Sequence, residues 1–260
     1  MLIRRELRLR YKNSALGLLW SLVNPVVQCL MIWYLVRNVW KLPLQNYSAY
    51  LFAAFVPWTF FSMTLLDACF SIRVAGPLVK KIYFPRELLP LVSVGANFIH
   101  FLIAFAVFVV YSQIGLQLAY GQPVRFEARV LWLVPILATM LLTATGLSLL
   151  LACLNCFYED VKYLVQTLLQ LLLFATPVLY QADSLSDARY VITQLSPFGV
   201  VVTQFQKALL PMQAFAPRVL EYPRPLDPKF ILLGLAVSCL IACVGFRVFD
   251  RYKWDLAEHL

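Results

Sequence analysis

Charge is scarce in this sequence. Of its 260 residues only 13% are charged, whereas 62% are hydrophobic. A soluble domain of this size carries about twice that charged fraction. Because hydrocarbon can solvate apolar surface in place of water, the composition excludes an ordinary soluble protein and indicates an integral membrane protein.

Ionisable residues are rarer still inside the long apolar segments, which hold a single acid, Asp67, and a single histidine, His100. Proton-coupled carriers and membrane metalloenzymes keep several ionisable groups at membrane depth. The scarcity argues against both classes. For Asp67, a helix-end or interhelical hydrogen bond and a functional role are both open, and for His100 an interhelical bridge is favoured over a proton relay.

A phosphate-binding loop is also missing. None of the nine glycines precedes a lysine, so the GxxxxGK[ST] pattern is absent. If ATP drives this protein, a separate polypeptide must hydrolyse it.

The six cysteines suggest no disulfide framework, because all of them lie in or beside the apolar segments. Cys153 and Cys156 form a CxxC pair without a second pair or matching histidines. We interpret both as small buried side chains.

Six continuous apolar runs are long enough to cross a bilayer as helices, which takes about 20 residues each. They cover residues 16–36, 49–72, 88–116, 130–154, 162–181 and 229–249. Continuous runs favour helices over a barrel, whose strands alternate in polarity. The predicted fold is an all-α polytopic membrane protein with six transmembrane helices in one domain, residues 1–260.

Basic residues concentrate at alternate ends of these runs. If the N-terminus is cytoplasmic, 13 of the 22 lysines and arginines fall at cytoplasmic ends. The positive-inside rule therefore predicts that both termini are cytoplasmic, with a tail at 250–260. The net charge of +9 then reflects membrane orientation and attraction to anionic lipids, and nucleic-acid binding is not predicted.

Residues 1–14 form a basic, partly amphipathic segment suited to the membrane surface. Its cations are Arg4, Arg5, Arg8, Arg10 and Lys12. Two roles are open for this segment, a simple orientation anchor and an interface helix that docks a partner.

The cytoplasmic connection between the second and third runs mixes aromatic and charged residues with prolines. Its central residues are Lys80, Lys81, Ile82, Tyr83, Phe84, Pro85, Arg86 and Glu87. Pro85 and Glu87 suit the start of a helix. A short helix pressed into a cleft of another protein would use this mixture, and an ordinary basic juxtamembrane turn is the alternative.

Two acids, Glu159 and Asp160, precede the fifth run, where helix capping explains them. Within that run Gln166 and Gln170 share one face, and such amides need either a neighbouring helix or a polar lumen. The fourth run repeats small residues, which suits close helix packing. These are Ala144, Ser148 and Ala152.

The segment at 182–228 is predicted to lie outside the cytoplasm. It contains an apolar run, Val200 to Leu210, that is too short to span and is interpreted as an interfacial or re-entrant helix. Aromatic residues crowd the outer ends of the first two runs, where they form either an interfacial belt or a stacking surface for sugar rings. They include Trp33, Tyr34, Trp58 and Phe61.

Four stretches resemble the type-2 ABC export permeases that move polysaccharides. Residues 8–25 resemble the entry segment of that family, and 80–90 resemble its first coupling region. Residues 176–180 and 195–198 resemble two later stretches. The resemblance covers nearly the whole chain in order and is nearest to the O-antigen and teichoic-acid branch.

This resemblance implies a homodimeric channel paired with two cytoplasmic ATPase subunits in the bacterial cytoplasmic membrane. The partner would bind ATP and Mg²⁺, while this chain binds no cofactor and is no enzyme. The implied cargo is a lipid-linked polysaccharide. Short helices within 184–210 would guard the outer exit.

Three sets of candidate site residues follow, the first two from the resemblance and the third from the amides and aromatics described above. The ATPase contact would comprise Lys80, Lys81, Tyr83, Phe84, Pro85, Arg86, Glu87 and Asp160. The cytoplasmic interface, or a site for the lipid headgroup, would comprise Arg4, Arg5, Arg8, Arg10 and Lys12. The translocation path would comprise Gln166, Gln170, Trp33, Tyr34, Trp58 and Phe61. Many family members carry Arg-Asp where this chain has Glu159-Asp160, so only the second residue matches.

Other functions remain as alternatives. The same fold exports other lipids, capsule glycans and drugs. A membrane enzyme acting on polyprenyl phosphates would need clustered acids or histidines, which the sequence lacks. A scaffold for glycan synthesis would leave the coupling-like segment unexplained.

Overall fold

Helices are the only regular secondary structure in the described part of the chain. This computed structural model describes residues 3, 6, 20–35, 38, 47–76, 85–120, 128–210 and 224–255, and no β-strand occurs among them. The helices, numbered in chain order, are α1 Trp20–Tyr34, α2 Tyr47–Val74, α3 Leu88–Tyr120, α4 Leu133–Phe157, α5 Val161–Ala175, α6 Asp187–Leu195, α7 Pro197–Leu209 and α8 Pro228–Tyr252. Short 3-10 helices, Ala128–Trp132 and Ala182–Ser184, precede α4 and α6.

Four of the described helices are long and apolar enough to cross a bilayer. They are Ser48–Val74, Leu88–Ile114, Ala128–Phe157 and Pro228–Tyr252. These helices match the second, third, fourth and sixth predicted runs. The first predicted run, 16–36, begins outside the described residues.

The fifth predicted run is shorter as a helix than the sequence suggested. We expected residues 162–181, but α5 ends at Ala175. Thr176 adopts extended geometry, with φ −84° and ψ 145°. The cause is Pro177, because the residue before a proline is sterically driven out of the α-helical region.

Helix α2 lies at the centre of the bundle. Most of its first half is buried, and it packs against α1, α3, α4, α5 and α7. Aromatic rings fill the adjoining core. The ring centroid of Phe101 of α3 lies 5.8 Å from that of Phe60 of α2 and 6.1 Å from that of Phe205 of α7. A helix that is apolar all round its surface is the expected occupant of such a central position.

Helix α8 lies at the side of the bundle and packs chiefly on α4. The two backbones meet at glycines: a Cβ added at Gly245 would lie 2.1 Å from the carbonyl oxygen of Gly146. The hydroxyl oxygens of Thr143 and Ser238 are 2.7 Å apart across the same interface. Helices α4 and α8 therefore form one closely packed pair.

Candidate functional site

Polar side chains join the helices at both ends of the bundle. We call the end where α2, α4 and α8 finish and α3 begins the basic end. The opposite end, where α6 and α7 pack against one another and against α8, is called the hairpin end.

At the basic end, an ion pair joins α2 to the turn before α5. Arg73 Nη2 lies 2.7 Å from Glu159 Oε1. This hydrogen bond lowers the pKa of Glu159. Asp160 occupies the N-cap position of α5 but makes no side-chain capping hydrogen bond. Helix capping, predicted for both acids, is therefore wrong for the Asp160 side chain, and Glu159 binds α2 instead.

We expect a modest, salt-sensitive effect from reversing one charge of this pair. Either Glu159→Arg or Arg73→Glu should lower the unfolding temperature in detergent by about 1–3 °C, because exposed ion pairs contribute little. The double variant with both charges swapped should recover the lost stability, and high salt should shrink every difference.

The pair also predicts a pH dependence. Because the pKa of Glu159 is lower in the folded protein than its ordinary value of 4.5, its stabilising effect is present above that value. The effect is lost as the pH falls through the folded-state pKa. The stability difference between wild type and Glu159→Gln should therefore vanish on acidification, and a difference that grew would contradict the pairing.

Arg86 is held by the C-terminal end of α8. Its guanidinium donates hydrogen bonds to the carbonyl oxygen of Lys253 and, at 3.3 Å, to that of Trp254. Lys253 itself pairs with Asp250 at 2.5 Å. The described part of the predicted coupling segment, Pro85 to Glu87, is thus joined to the end of the last helix.

Most residues of the two predicted cytoplasmic sets lie outside the described part of the chain. These are Lys80, Lys81, Tyr83, Phe84, Arg4, Arg5, Arg8, Arg10 and Lys12. The described residue Ile3 packs against α3 at Gly95. A Cβ added at Gly95 would lie 2.6 Å from the Cδ1 atom of Ile3.

A small apolar cluster lies beneath the polar contacts of the basic end. Its fully buried members come from α2, α4 and α8, with Leu89 of α3 packed against them. They are Ile72, Leu149, Ala152, Cys153, Cys156 and Phe249. Both cysteines of the CxxC pair are buried here, which confirms their interpretation as small core side chains.

Inside the bundle, Asp67 serves as an interhelical acceptor. Asn97 Nδ2 of α3 donates to Asp67 Oδ2 of α2 at 2.7 Å. A second amide, Asn155 Nδ2 of α4, donates to the carbonyl oxygen of Cys69 at 2.9 Å. His100 is buried beside this region. Of the roles left open for Asp67, the structure shows the interhelical hydrogen bond.

At the hairpin end, α7 carries a lysine into the protein interior. Lys207 Nζ lies 2.7 Å from Asp183 Oδ1, and the two side chains are only 5% and 8% exposed. The phenol of Tyr190 lies 3.4 Å from the same nitrogen. Burial raises the pKa of Tyr190 to about 12 and lowers that of Lys207, although Asp183 acts in the opposite direction on the lysine.

Glutamines complete the hairpin end. Gln204 of α7 donates to Gln194 of α6 at 3.0 Å and accepts from the backbone N–H of Asp227 at 3.2 Å. Gln206 donates to the carbonyl oxygen of Tyr50 at the start of α2, at 3.1 Å. The hairpin formed by α6 and α7 is therefore hydrogen-bonded both to the start of α2 and to the residue that precedes α8.

Helix α6 has its polarity reversed relative to a soluble surface helix. Its buried side chains, Tyr190 and Gln194, are polar. Its apolar residues at i, i+3, i+4 and i+7 all face outward. They are Ala188, Val191, Ile192 and Leu195. A face of this kind needs lipid or another protein as its surroundings rather than water.

The predicted path residues divide into two groups. Gln166, Gln170 and Tyr34 are exposed. Trp58 and Phe61 are 5% and 0% exposed because they belong to the core around α2. The side chain of Trp33 lies outside the described residues. Neither Trp58 nor Phe61 presents a ring at the surface of this chain.

The Lys207–Asp183 pair and the contact between Gly146 and Gly245 were not predicted. Lys207, the only charged residue in the run from Val200 to Leu210, was a usable signal, because a buried ammonium requires a partner. The glycines offered a weaker signal, since single glycines in apolar helices do not indicate their partner.

The comparison with protein families decides the class of this chain. The family model described as ABC-2 type transporter matches residues 1–210 of this chain. The chain belongs to the ABC-2 type transporter family. This membership confirms the resemblance inferred from the motifs.

Individual relatives are similar along the whole ABC-2 chain. An O-antigen export system permease protein RfbA from Klebsiella pneumoniae is 26% identical over 100% of this chain and 93% of its own length. An O-antigen export system permease protein RfbA from Myxococcus xanthus is 29% identical over 100% of this chain and 94% of its own length.

Proposed function

We propose that this chain is the permease subunit of an ATP-driven exporter that moves a polyprenyl-diphosphate-linked, O-antigen-like polysaccharide across the bacterial cytoplasmic membrane. The observation that carries the proposal is its similarity over 100% of its length to two O-antigen export permeases. Teichoic-acid-like cargo has the same chemistry, a glycan on a lipid diphosphate.

In this proposal six helices cross the membrane, with α1 and α5 added to the four long apolar helices. The basic end faces the cytoplasm together with both termini, and the hairpin end faces outward. Arg73, Arg86, Arg251 and Lys253 at the basic end support this orientation. Residues 1–14 form the cytoplasmic interface.

Energy comes from two copies of a separate ABC ATPase subunit, which hold ATP and Mg²⁺. The absence of a phosphate-binding loop from this sequence supports a division of labour. The aromatic and basic connection before α3 docks into the ATPase. Lys80, Lys81, Tyr83 and Phe84 provide its contact side chains.

The outward face of α5 supports a homodimer with a translocation path at its interface. Leu168, Leu171 and Phe174 are about half exposed or more on this helix, with Gln166 and Gln170 beside them. Amides at membrane depth face other protein or water rather than lipid. A second copy that covers this face would place both glutamines along the cargo path, with Tyr34 of α1 contributing. The buried Trp58 and Phe61 are left out of this path.

The hairpin end forms the outer exit. The outward apolar stripe of α6 fits the boundary between headgroups and acyl chains, as an amphipathic helix does when it lies in the membrane plane. Its polar face is then directed into the protein, where Tyr190 and Gln194 have partners.

Replacing Phe84 tests the function. The permease would be expressed with the ABC ATPase subunit of the same strain, and co-purification and surface polysaccharide would be followed in parallel. We expect Phe84→Ala to reduce both at least about tenfold, because a buried interface aromatic commonly contributes 2 kcal/mol or more. Phe246→Ala, which removes an exposed aromatic from α8, is the matched control and should leave both unchanged.

Loss of surface polysaccharide in the absence of this chain, with accumulation of its lipid-linked precursor inside the cell, would support the cargo. Normal polysaccharide combined with lost drug or phospholipid export would overturn the cargo assignment. Failure of the wild type to bind any ATPase would overturn the ATP-driven mechanism and favour a membrane enzyme or scaffold.

A further inference from the structure

We propose that Arg86 is a positioning residue that caps the C-terminal end of α8 and makes this helix move with the coupling segment. The role rests on the proposed function and changes the part assigned to Arg86 by resemblance. In place of contact with the ATPase, its guanidinium connects two elements within this chain.

The first part of the connection is the backbone of Arg86, which belongs to the start of α3. The N–H of Leu88 donates to the carbonyl oxygen of Pro85 at 3.1 Å, and the N–H of Leu89 donates to that of Arg86 at 3.1 Å. Arg86 is therefore fixed in the turn through which the coupling segment enters α3. A displacement of that segment moves the base of the Arg86 side chain directly.

The second part is the guanidinium, which reaches the end of α8. The last carbonyl groups of a helix have no partner within the helix, and they carry the negative end of its dipole. Arg86 donates to two of the carbonyls that follow α8, those of Lys253 and Trp254. Lys253 is the C-cap residue of α8, so the arginine satisfies an orphan acceptor of the helix and complements its dipole at once.

The third part is the packing of α8, which allows a displacement at the basic end to reach the hairpin end. Near its C-terminus Tyr252 contacts Phe157 of α4, with 5.9 Å between ring centroids. At its other end a Cβ added at Gly234 would lie 3.1 Å from Val200 of α7. The backbone of Asp227, just before α8, is hydrogen-bonded to Gln204 of α7. Helix α8 thus contacts Arg86, in the turn before α3, at one end and α7, at the proposed outer exit, at the other.

The test compares Arg86→Gln with Arg86→Lys and with Arg247→Gln in the permease–ATPase complex. Arg247 is exposed on the last part of α8 and its replacement removes the same charge without touching the cap. Hydrogen exchange of the last turn of α8, co-purification of the ATPase, ATP hydrolysis and surface polysaccharide are measured for each.

For Arg86→Gln we expect amides 251–254 to exchange about tenfold faster, since a hydrogen bond from a charged group is lost. The ATPase should still co-purify and hydrolyse ATP at a rate within twofold of wild type, while export falls about tenfold or more. Arg86→Lys keeps one charged donor but not the planar fork, so it should restore part of both the exchange protection and the export. Arg247→Gln should resemble wild type throughout.

A loss of ATPase co-purification in Arg86→Gln, with unchanged exchange in α8, would overturn the proposal and return Arg86 to the ATPase contact. Unchanged export in Arg86→Gln would also overturn it. If the wild type binds no ATPase, the proposed function fails. The exchange measurement on the chain alone would still decide whether Arg86 caps α8.

Discussion

Gly245→Val is expected to destabilise the bundle more than any exposed substitution on α8. A Cβ at this position would lie 2.1 Å from the carbonyl oxygen of Gly146, and one at Gly146 would lie 2.6 Å from that of Ile241. Backbone atoms cannot rotate aside as a side chain does, so α4 and α8 would have to separate. We expect a loss of about 3 kcal/mol, at the upper end of the usual range for overpacked cores.

Unfolding of the purified protein in mixed micelles measures this loss. Cys243→Val, at an exposed position two residues earlier in the same helix, is the matched control and should be close to neutral. Gly146→Val should reproduce the effect from the opposite side of the interface. If Gly245→Val unfolded like the control, the close backbone contact would be refuted.

The double variant Gly146→Val/Gly245→Val shows whether the two glycines serve one shared contact or two independent ones. Residues in contact are not additive. Once the first valine has forced the helices apart, the second should add much less than its individual effect. If the two losses in the free energy of unfolding simply added, each glycine would be needed for a separate contact.

The long apolar helices were predictable because membrane solvation leaves a strong one-dimensional signal. Runs of about 20 apolar residues are required wherever a helix crosses hydrocarbon, and four such runs appear as long helices. The end of α5 was missed by several residues although Pro177 was visible, because the apolar composition continues past it. Local backbone sterics outweighed hydropathy at that point.

The partners of polar residues were much harder to predict. For Asp67 the sequence left an interhelical hydrogen bond open as one of two roles, but nothing in it identified Asn97 as the partner. Glu159 looked like a capping residue because its position along the chain fits the start of α5. Its bond to Arg73, 86 residues away, depends on how α2 packs beside the turn. Such pairings are tertiary facts, and a single sequence does not encode them in any local pattern.

Lys207→Met is expected to open the hairpin end by leaving Asp183 buried without its counter-charge. The two side chains are 5% and 8% exposed, so water screens the pair poorly. Removing one partner of a buried pair typically costs about 3–5 kcal/mol, far more than the net contribution of the pair itself. Unfolding in mixed micelles should show this loss for Lys207→Met.

The double variant Lys207→Met/Asp183→Leu should recover most of that stability, because no unpaired charge remains. Arg189→Met, which removes an exposed cation from α6, is the control and should have little effect. If the double variant were as unstable as the sum of its two single changes, the two residues would not act as a pair.

The single variant Asp183→Leu adds a test by pH. Burial already lowers the pKa of Lys207 below 10.5, and Asp183 is the principal group that raises it. Without the acid, this pKa should fall further, so the unfolded chain binds the proton more strongly than the folded protein. Stability must then rise with pH in the interval below 10.5. Asp183→Leu should therefore gain stability between neutral and alkaline pH relative to Lys207→Met/Asp183→Leu, which has no lysine to titrate. Equal pH profiles for the two variants would mean that another acid replaces Asp183 as the counter-charge of Lys207, and would contradict the assignment of Asp183 as its principal partner.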